Sequence, residues 1–311
     1  MTIRYFRFTF LLAISLVLTV AANAQSLRTF VSVHGNDSDE ICGGADNPCR
    51  TFTMALTKTA NDGQILALDS GLYDQTTVNV TTQVTLAAVP GAHAELTGIT
   101  INTPTSSRVV LRNLFFQFHI DHVSNKGIGV TSVGELHIEG CTVTGFPSGI
   151  DISLANAAAV FVDDTTVRNS NGNGITIQTT AGLVRANINH CRIESNGHGG
   201  PVGDGISVKN RGRVVVRDTI ATGQNGAGFV STGGDLSIEN CESSNNGDGV
   251  ISANNSTGGF GTLFVSNSIV TNNLNGGFRQ QGTGVFNSLG NNIVRRNGNN
   301  TVGTIGSVSG T

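Results

Sequence analysis

Apolar and polar residues repeat in one short pattern along most of this chain. A unit opens with an apolar residue, passes through two polar or turn residues and reaches a small one. The copies are Ile138-Glu-Gly-Cys141, Val162-Asp-Asp-Thr165, Ile188-Asn-His-Cys191, Val216-Arg-Asp-Thr219, Ile238-Glu-Asn-Cys241, Val265-Ser-Asn-Ser268 and Leu289-Gly-Asn-Asn292. Their fourth positions are spaced 24, 26, 28, 22, 27 and 24 residues, about 25 on average. A second motif falls between them: Ser148-Gly-Ile-Asp-Ile, Asn173-Gly-Ile-Thr-Ile, Asp204-Gly-Ile-Ser-Val, Ala227-Gly-Phe-Val, Asp248-Gly-Val-Ile and Gly276-Gly-Phe-Arg. Weaker copies run upstream through Val110-Leu-Arg-Asn113 and Gly127-Ile-Gly-Val130.

Alternation of period two is the mark of a strand with one face turned inward. Turn residues every eight positions or so leave no room for crossover helices. Each unit therefore reads as two or three short strands, and equal units stack in register on their neighbours and bury a continuous core. A β-propeller, with blades of about 40 residues or more, does not fit a 25-residue period in a chain without Trp. The expected fold is all-β, a single-stranded right-handed parallel β-helix. Arg50 to Ala60 places Phe52, Ala55, Leu56 and Thr59 on one helical face and predicts a short helix plugging the N-terminal opening, where bare strand edges need cover. The first coil is expected to open at Ile65, and the Gly-rich residues from 298 onward to form a poorly ordered polar tail.

Composition adds a compartment. Arg4 and Arg7, the apolar run Phe8 to Val20 and Ala22-Asn-Ala24 have the layout of a secretory signal peptide, too short to span a bilayer comfortably. No later stretch is apolar enough for a membrane span. The expected organisation is a leader over 1–24, an N-terminal cap with a disulfide loop, short helix and first strand over 25–75, the β-helix over 76–297 and the tail over 298–311. Loss of the leader moves the formal charge from −3 to −5, since it holds two Arg and no acid. An acidic surface with 13% charged residues argues against nucleic acid as a partner. Export places the protein in the periplasm, at the cell surface or outside the cell, where Cys42 and Cys49 are expected to pair. Cys141, Cys191 and Cys241 fall at one position two coils apart, roughly 9–10 Å along the axis. That is beyond a disulfide's reach, so they are expected as buried free thiols.

Several segments then carry a resemblance: Thr29-Phe-Val-Ser32, Asn47-Pro-Cys-Arg-Thr-Phe52, Gly63-Gln-Ile65, Ser70-Gly-Leu-Tyr73 and the closing Leu289-Gly-Asn-Asn292. The chain resembles secreted bacterial right-handed β-helix repeat proteins of the pectin-lyase-like superfamily over nearly all of its mature length. That superfamily includes polysaccharide lyases, hydrolases and epimerases, but also tailspikes and adhesins, so the likeness implies a fold more than an activity. It also implies an asparagine ladder, to which the third anchor position (Gly140, Asp164, His190, Asp218, Asn240, Asn267, Asn291) is assigned, its side chains bonding the next coil's backbone.

Candidate chemistry sits on outward positions. Asp163-Asp164 and Gly197-His198-Gly199 are similar to polygalacturonase motifs, yet the flanking Asn-Thr-Asp and Arg-Ile-Lys are missing. Asp151, Asp204 and Asp248 are weak calcium candidates, since calcium needs several oxygens converging on it. Counting three residues back from each anchor gives Glu135, Ala159, Arg185, Arg213, Asp235 and Thr262. Counting one forward gives Glu139, Asp163, Asn189, Arg217, Glu239 and Ser266. Arg185, Arg213 and Arg217, flanked by Glu139 and Glu239, are expected to cluster as a face that grips a polysaccharide or surface glycan. Arg213, Arg217, His137 and Asp163 are the candidates for acid–base chemistry in a polysaccharide lyase or epimerase. The competing reading is cross-strand charge pairing on a structural or adhesin-like solenoid. The leading expectation is a carbohydrate-contacting module without clear catalytic machinery and without a required cofactor; the oligomeric state is left open.

Overall fold

The computed structural model describes residues 25–39, 41–121, 124–198, 203–254 and 261–308; the expected leader lies outside them. The chain winds as a right-handed parallel β-helix whose coils each add one strand to each of three parallel sheets. The first sheet runs from Ser26–Val31 to Gly306–Ser307, the second from Gly71–Asp74 to Ile293–Arg295, and the third from Val78–Val80 to Asn299–Val302. From Thr59–Ala67 onward, sequence-adjacent strands lie in different sheets, and each strand pairs with its equivalents one coil away.

The register turns period-two alternation into columns. In the first sheet Ile65, Leu86, Leu111, Ile138, Val162, Ile188, Val216, Ile238 and Val265 pair in series and point inward, all buried. The third sheet lines its inner face with Val78, Ile99, Ile128, Ile150, Ile175, Ile206, Phe229, Val250 and Phe278. Each such side chain contributes roughly 1.5–3 kcal/mol by leaving water. The three expected free thiols occupy one interior column and alternate with hydroxyls. Backbone N–H groups of Cys141, Cys191 and Cys241 donate to the side chains of Thr165, Thr219 and Ser268 at 3.1–3.3 Å.

The asparagine ladder lies elsewhere than expected. Asn113, Gly140, Asp164, His190, Asp218, Asn240 and Asn267 all take a left-handed backbone, φ 49–61°. They form the corner between the first and second sheets, and all of them are exposed. Asn, Asp and Gly tolerate that conformation best. Being at the rim, their side chains mostly bond sideways: Asn240 to Asp218, and Asn267 to Asn240 at 3.3 Å. Only toward the end does the Asn291 carboxamide take a backbone N–H, that of Asn267, at 2.9 Å.

The ladder that does bond backbone stands at the next corner. Asn196, Gln224, Asn246, Asn273 and Asn297 accept, through their side-chain oxygens, the N–H of the equivalent residue one coil back at 2.9–3.0 Å. Their side-chain nitrogens donate to carbonyls of the preceding coil, from Val167 to Val270. The first four are at most 3% exposed, so these bonds satisfy backbone groups that water cannot reach.

The N-terminal opening is plugged as expected. Helix α1, Phe52–Lys58, buries Phe52 and Ala55. Thr51 caps it by accepting the Met54 N–H at 3.1 Å. Two carboxylates hold its start: Asp37 takes the N–H groups of Arg50 and Thr51, and buried Asp74 takes those of Phe52 and Thr53. The Arg50 guanidinium donates to the carbonyls of Leu72 and Tyr73. The Cys42–Cys49 disulfide is formed, with Cα atoms 5.1 Å apart. Two expectations change. The first sheet begins before Ile65, because Ser26–Val31 already pairs with Thr59–Ala67. The tail is wound into the solenoid through Ser307, because Asn299–Val302 and Gly306–Ser307 find backbone partners one coil back.

Candidate functional site

Three outward columns cross the first sheet. The expected flanking columns are reproduced by the register: Glu135, Ala159, Arg185, Arg213, Asp235 and Thr262 on one side, Glu139, Asp163, Asn189, Arg217, Glu239 and Ser266 on the other. Both extend one coil further, to Arg108 and Arg112. The upstream copy is therefore in register with Leu111 at its first position, one residue later than a count from Val110 would place it. Between the flanks runs a middle column of Val110, His137, Phe161, Asn187, Val215, Ser237 and Phe264. It follows from the same alternation and supplies the surface between the charges.

The charges are arranged in pairs. Arg112 Nε lies 2.6 Å from Glu139, Arg213 Nε 3.1 Å from Asp235 and Arg217 Nε 2.9 Å from Glu239, each across one coil boundary. Exposed as they are, such pairs contribute about 0.2–1 kcal/mol each. His137 sits between two carboxylates of its own strand, Nε2 at 2.8 Å from Glu135 and Nδ1 at 3.7 Å from Glu139. Its ring stacks on Phe161 of the next coil, centroids 4.7 Å apart. A groove of about 360 Å³ opens where Arg185, Asn187, Arg213, Val215, Asp235 and Ser237 meet.

The other candidates do not converge. Asp163 points outward from its strand and accepts from the Asn189 carboxamide at 2.9 Å, while Asp164 lies at the left-handed corner. His198 belongs to the stretch after the second sheet's strand Arg192–Glu194, a different corner, and Gly199 lies outside the described residues. Asp151 pairs with Lys126 at 2.7 Å and Asp248 with Arg279 at 2.8 Å. Asp204 accepts the Ala227 N–H at 2.9 Å, and burial pushes its carboxyl above the usual range. Among the described residues no three His, Cys, Asp or Glu side chains come together in a way that could hold a metal ion. Burial likewise pushes the thiols of Cys141 and Cys191 up to about 12 and that of Cys241 to about 11. The interior column therefore stays protonated and unreactive. No described helix is long and apolar enough to cross a membrane.

A family model described as "Right handed beta helix region" matches residues 126–300. Among solved structures, the crystal structure of pectate lyase Pel9A aligns over 87% of this chain and 74% of its own, at 15% identity and a TM-score of 0.54. A rhamnogalacturonan lyase aligns over 84% of this chain and 73% of its own, at 13% identity and a TM-score of 0.36. No curated protein matches the sequence. At such identities the likeness is one of winding, and side-chain chemistry has to be argued from this chain alone.

Proposed function

Since this chain belongs to the right-handed β-helix family, we propose that it is an exported module that contacts a polysaccharide or surface glycan through the outward face of its first sheet. The observation that carries this reading is the groove bounded by Arg185, Arg213 and Asp235, with Asn187 and Ser237 in its lining. Guanidinium, amide, hydroxyl and carboxylate groups within one shallow groove match the donors and acceptors of a sugar. Export is supported by the leader-like sequence over 1–24 and by a disulfide at Cys42–Cys49, a bond that persists in oxidising compartments. Mass measurement of the secreted protein should place its N-terminus at Gln25.

A second reading, elimination or epimerisation on an acidic sugar, draws on His137 held between Glu135 and Glu139. Arg213 and Arg217 are turned to Asp235 and Glu239, which leaves His137 as the group this reading rests on. One assay separates the two readings. The purified mature protein is incubated with a panel of neutral and acidic glycans, and both retention and the absorbance of unsaturated uronates are followed. Retention of a glycan without new absorbance is the expected outcome. Product that disappears in His137→Ala would replace the binding reading with the lyase one, and the absence of both signals would remove both.

A further inference from the structure

Five arginines stand in the two flanking columns of the first sheet: Arg108, Arg185 and Arg213 in one, Arg112 and Arg217 in the other. Four have carboxylate partners: Asp62 for Arg108 at 3.7 Å, and Glu139, Asp235 and Glu239 for Arg112, Arg213 and Arg217. The guanidinium of Arg185 has no partner among the described residues. Its neighbours in the column are Ala159, too short to reach it, and Arg213, whose Nε is turned to Asp235 on the far side. Like charges abreast repel, and nothing among the described residues relieves this pair from the Arg185 side. The result is one unneutralised guanidinium at the edge of a groove whose lining also offers Asn187, Ser237 and Asp235.

The rest of the face opposes a polyanion. The same columns hold five carboxylates, Glu135, Asp163, Asp235, Glu139 and Glu239, against the five arginines. A balanced face gives a highly charged chain no long-range attraction. A second carboxylate close to the first would meet Asp235 or an arginine already engaged. We propose that Arg185 is the single anion receptor of this face, and that its ligand is a glycan whose carboxylates stand isolated between neutral sugars, not a contiguous polyuronate. This rests on the glycan reading above and specifies the substrate class within it.

The test uses the full mature chain and three probes. They are hyaluronan oligosaccharides, in which a uronate alternates with a neutral N-acetylated sugar, oligogalacturonate of equal length, and carboxyl-reduced hyaluronan. Affinities are measured at one fixed salt concentration. Hyaluronan is expected to bind more tightly than either of the others. Arg185→Gln is expected to weaken it roughly tenfold or more, the loss of a bidentate charge-assisted contact, with Arg185→Lys intermediate. Arg192→Gln, on the second sheet, serves as the control and leaves binding unchanged. Asp235→Asn frees Arg213 and should raise affinity for oligogalacturonate, a gain that a merely structural role for Asp235 would not produce. Tighter binding of oligogalacturonate by the unaltered protein, equal binding of the reduced probe, or an Arg185→Gln variant as strong as the parent each overturns the proposal while leaving glycan binding in place. Failure of all three probes, with no other glycan of the wider panel retained, overturns both.

Discussion

At the scale of the residue, outward positions and buried ones follow different rules. Asp204 shows the buried case. Its carboxylate accepts one backbone N–H, but the surrounding protein disfavours its charge and raises its pKa. A carboxyl whose folded pKa exceeds its unfolded value supports the fold fully in acid and loses that support as pH rises through the folded value. Asp204→Asn keeps an oxygen to accept the Ala227 N–H and removes the charge. The variant should melt above the parent at pH 7 and at the same temperature near pH 3; thermal scans at the two pH values check this. Arg185 shows the outward case. Its column could be counted from the sequence, as could its neighbours Ala159 and Arg213. That Arg213 and Arg217 are engaged by Asp235 and Glu239 while Arg185 is not depends on rotamers, which a one-dimensional pattern does not specify.

The element that ties one coil to the next is the buried amide column. Asn246 accepts the Gln224 N–H, donates to the Ala221 carbonyl at 3.1 Å and bonds the Ser243 hydroxyl at 3.1 Å. Asn246→Ala strands buried donors and acceptors, each costing about 1–3 kcal/mol. A loss of about 2–4 kcal/mol is expected, read as a lower urea midpoint with an unchanged slope. The strands, their inward faces and the plugging helix were legible because burial writes itself as period two or 3.6. The ladder was not. Asn-Gly steps mark many corners of this solenoid, and the series includes a glutamine, Gln224. At the rim the left-handed residue is itself the ladder candidate, as at Asp164 and His190, whereas at the inward corner the left-handed residue precedes the buried amide, as at Ser195 before Asn196 and Asn245 before Asn246. The acidic residues that hold the helix, Asp37 and Asp74, escaped notice for a related reason: they lie 13 or more residues before or 21 or more after the groups they bond.

For the molecule as a whole, the two ends differ. The N-terminal opening is closed by α1 and the disulfide loop. At the other end, Ile293–Arg295 and Asn299–Val302 expose most of their residues, and Val294 and Ile305 are only partly covered. A solenoid is stabilised by the sum of nearest-neighbour contacts and opens where those contacts are fewest. Hydrogen exchange read by mass spectrometry should show peptides covering 290–308 exchanging before those covering 84–190. Earlier exchange at the plugged end would contradict this.

The alternation of thiol and hydroxyl in the interior column gives the solenoid a parity. Excising or duplicating two successive coils leaves every Cys beside a Thr or Ser, so the protein can change length in even steps without altering that seam. Excising the coil of Thr165 or Thr219 sets two thiols on adjoining coils, about 4.8 Å apart along the axis and within the span of a covalent bridge. In the oxidising setting proposed for it, a lineage of such proteins would then grow or shrink by pairs of coils, or else acquire an internal crosslink wherever a single hydroxyl-bearing coil between two thiols was lost.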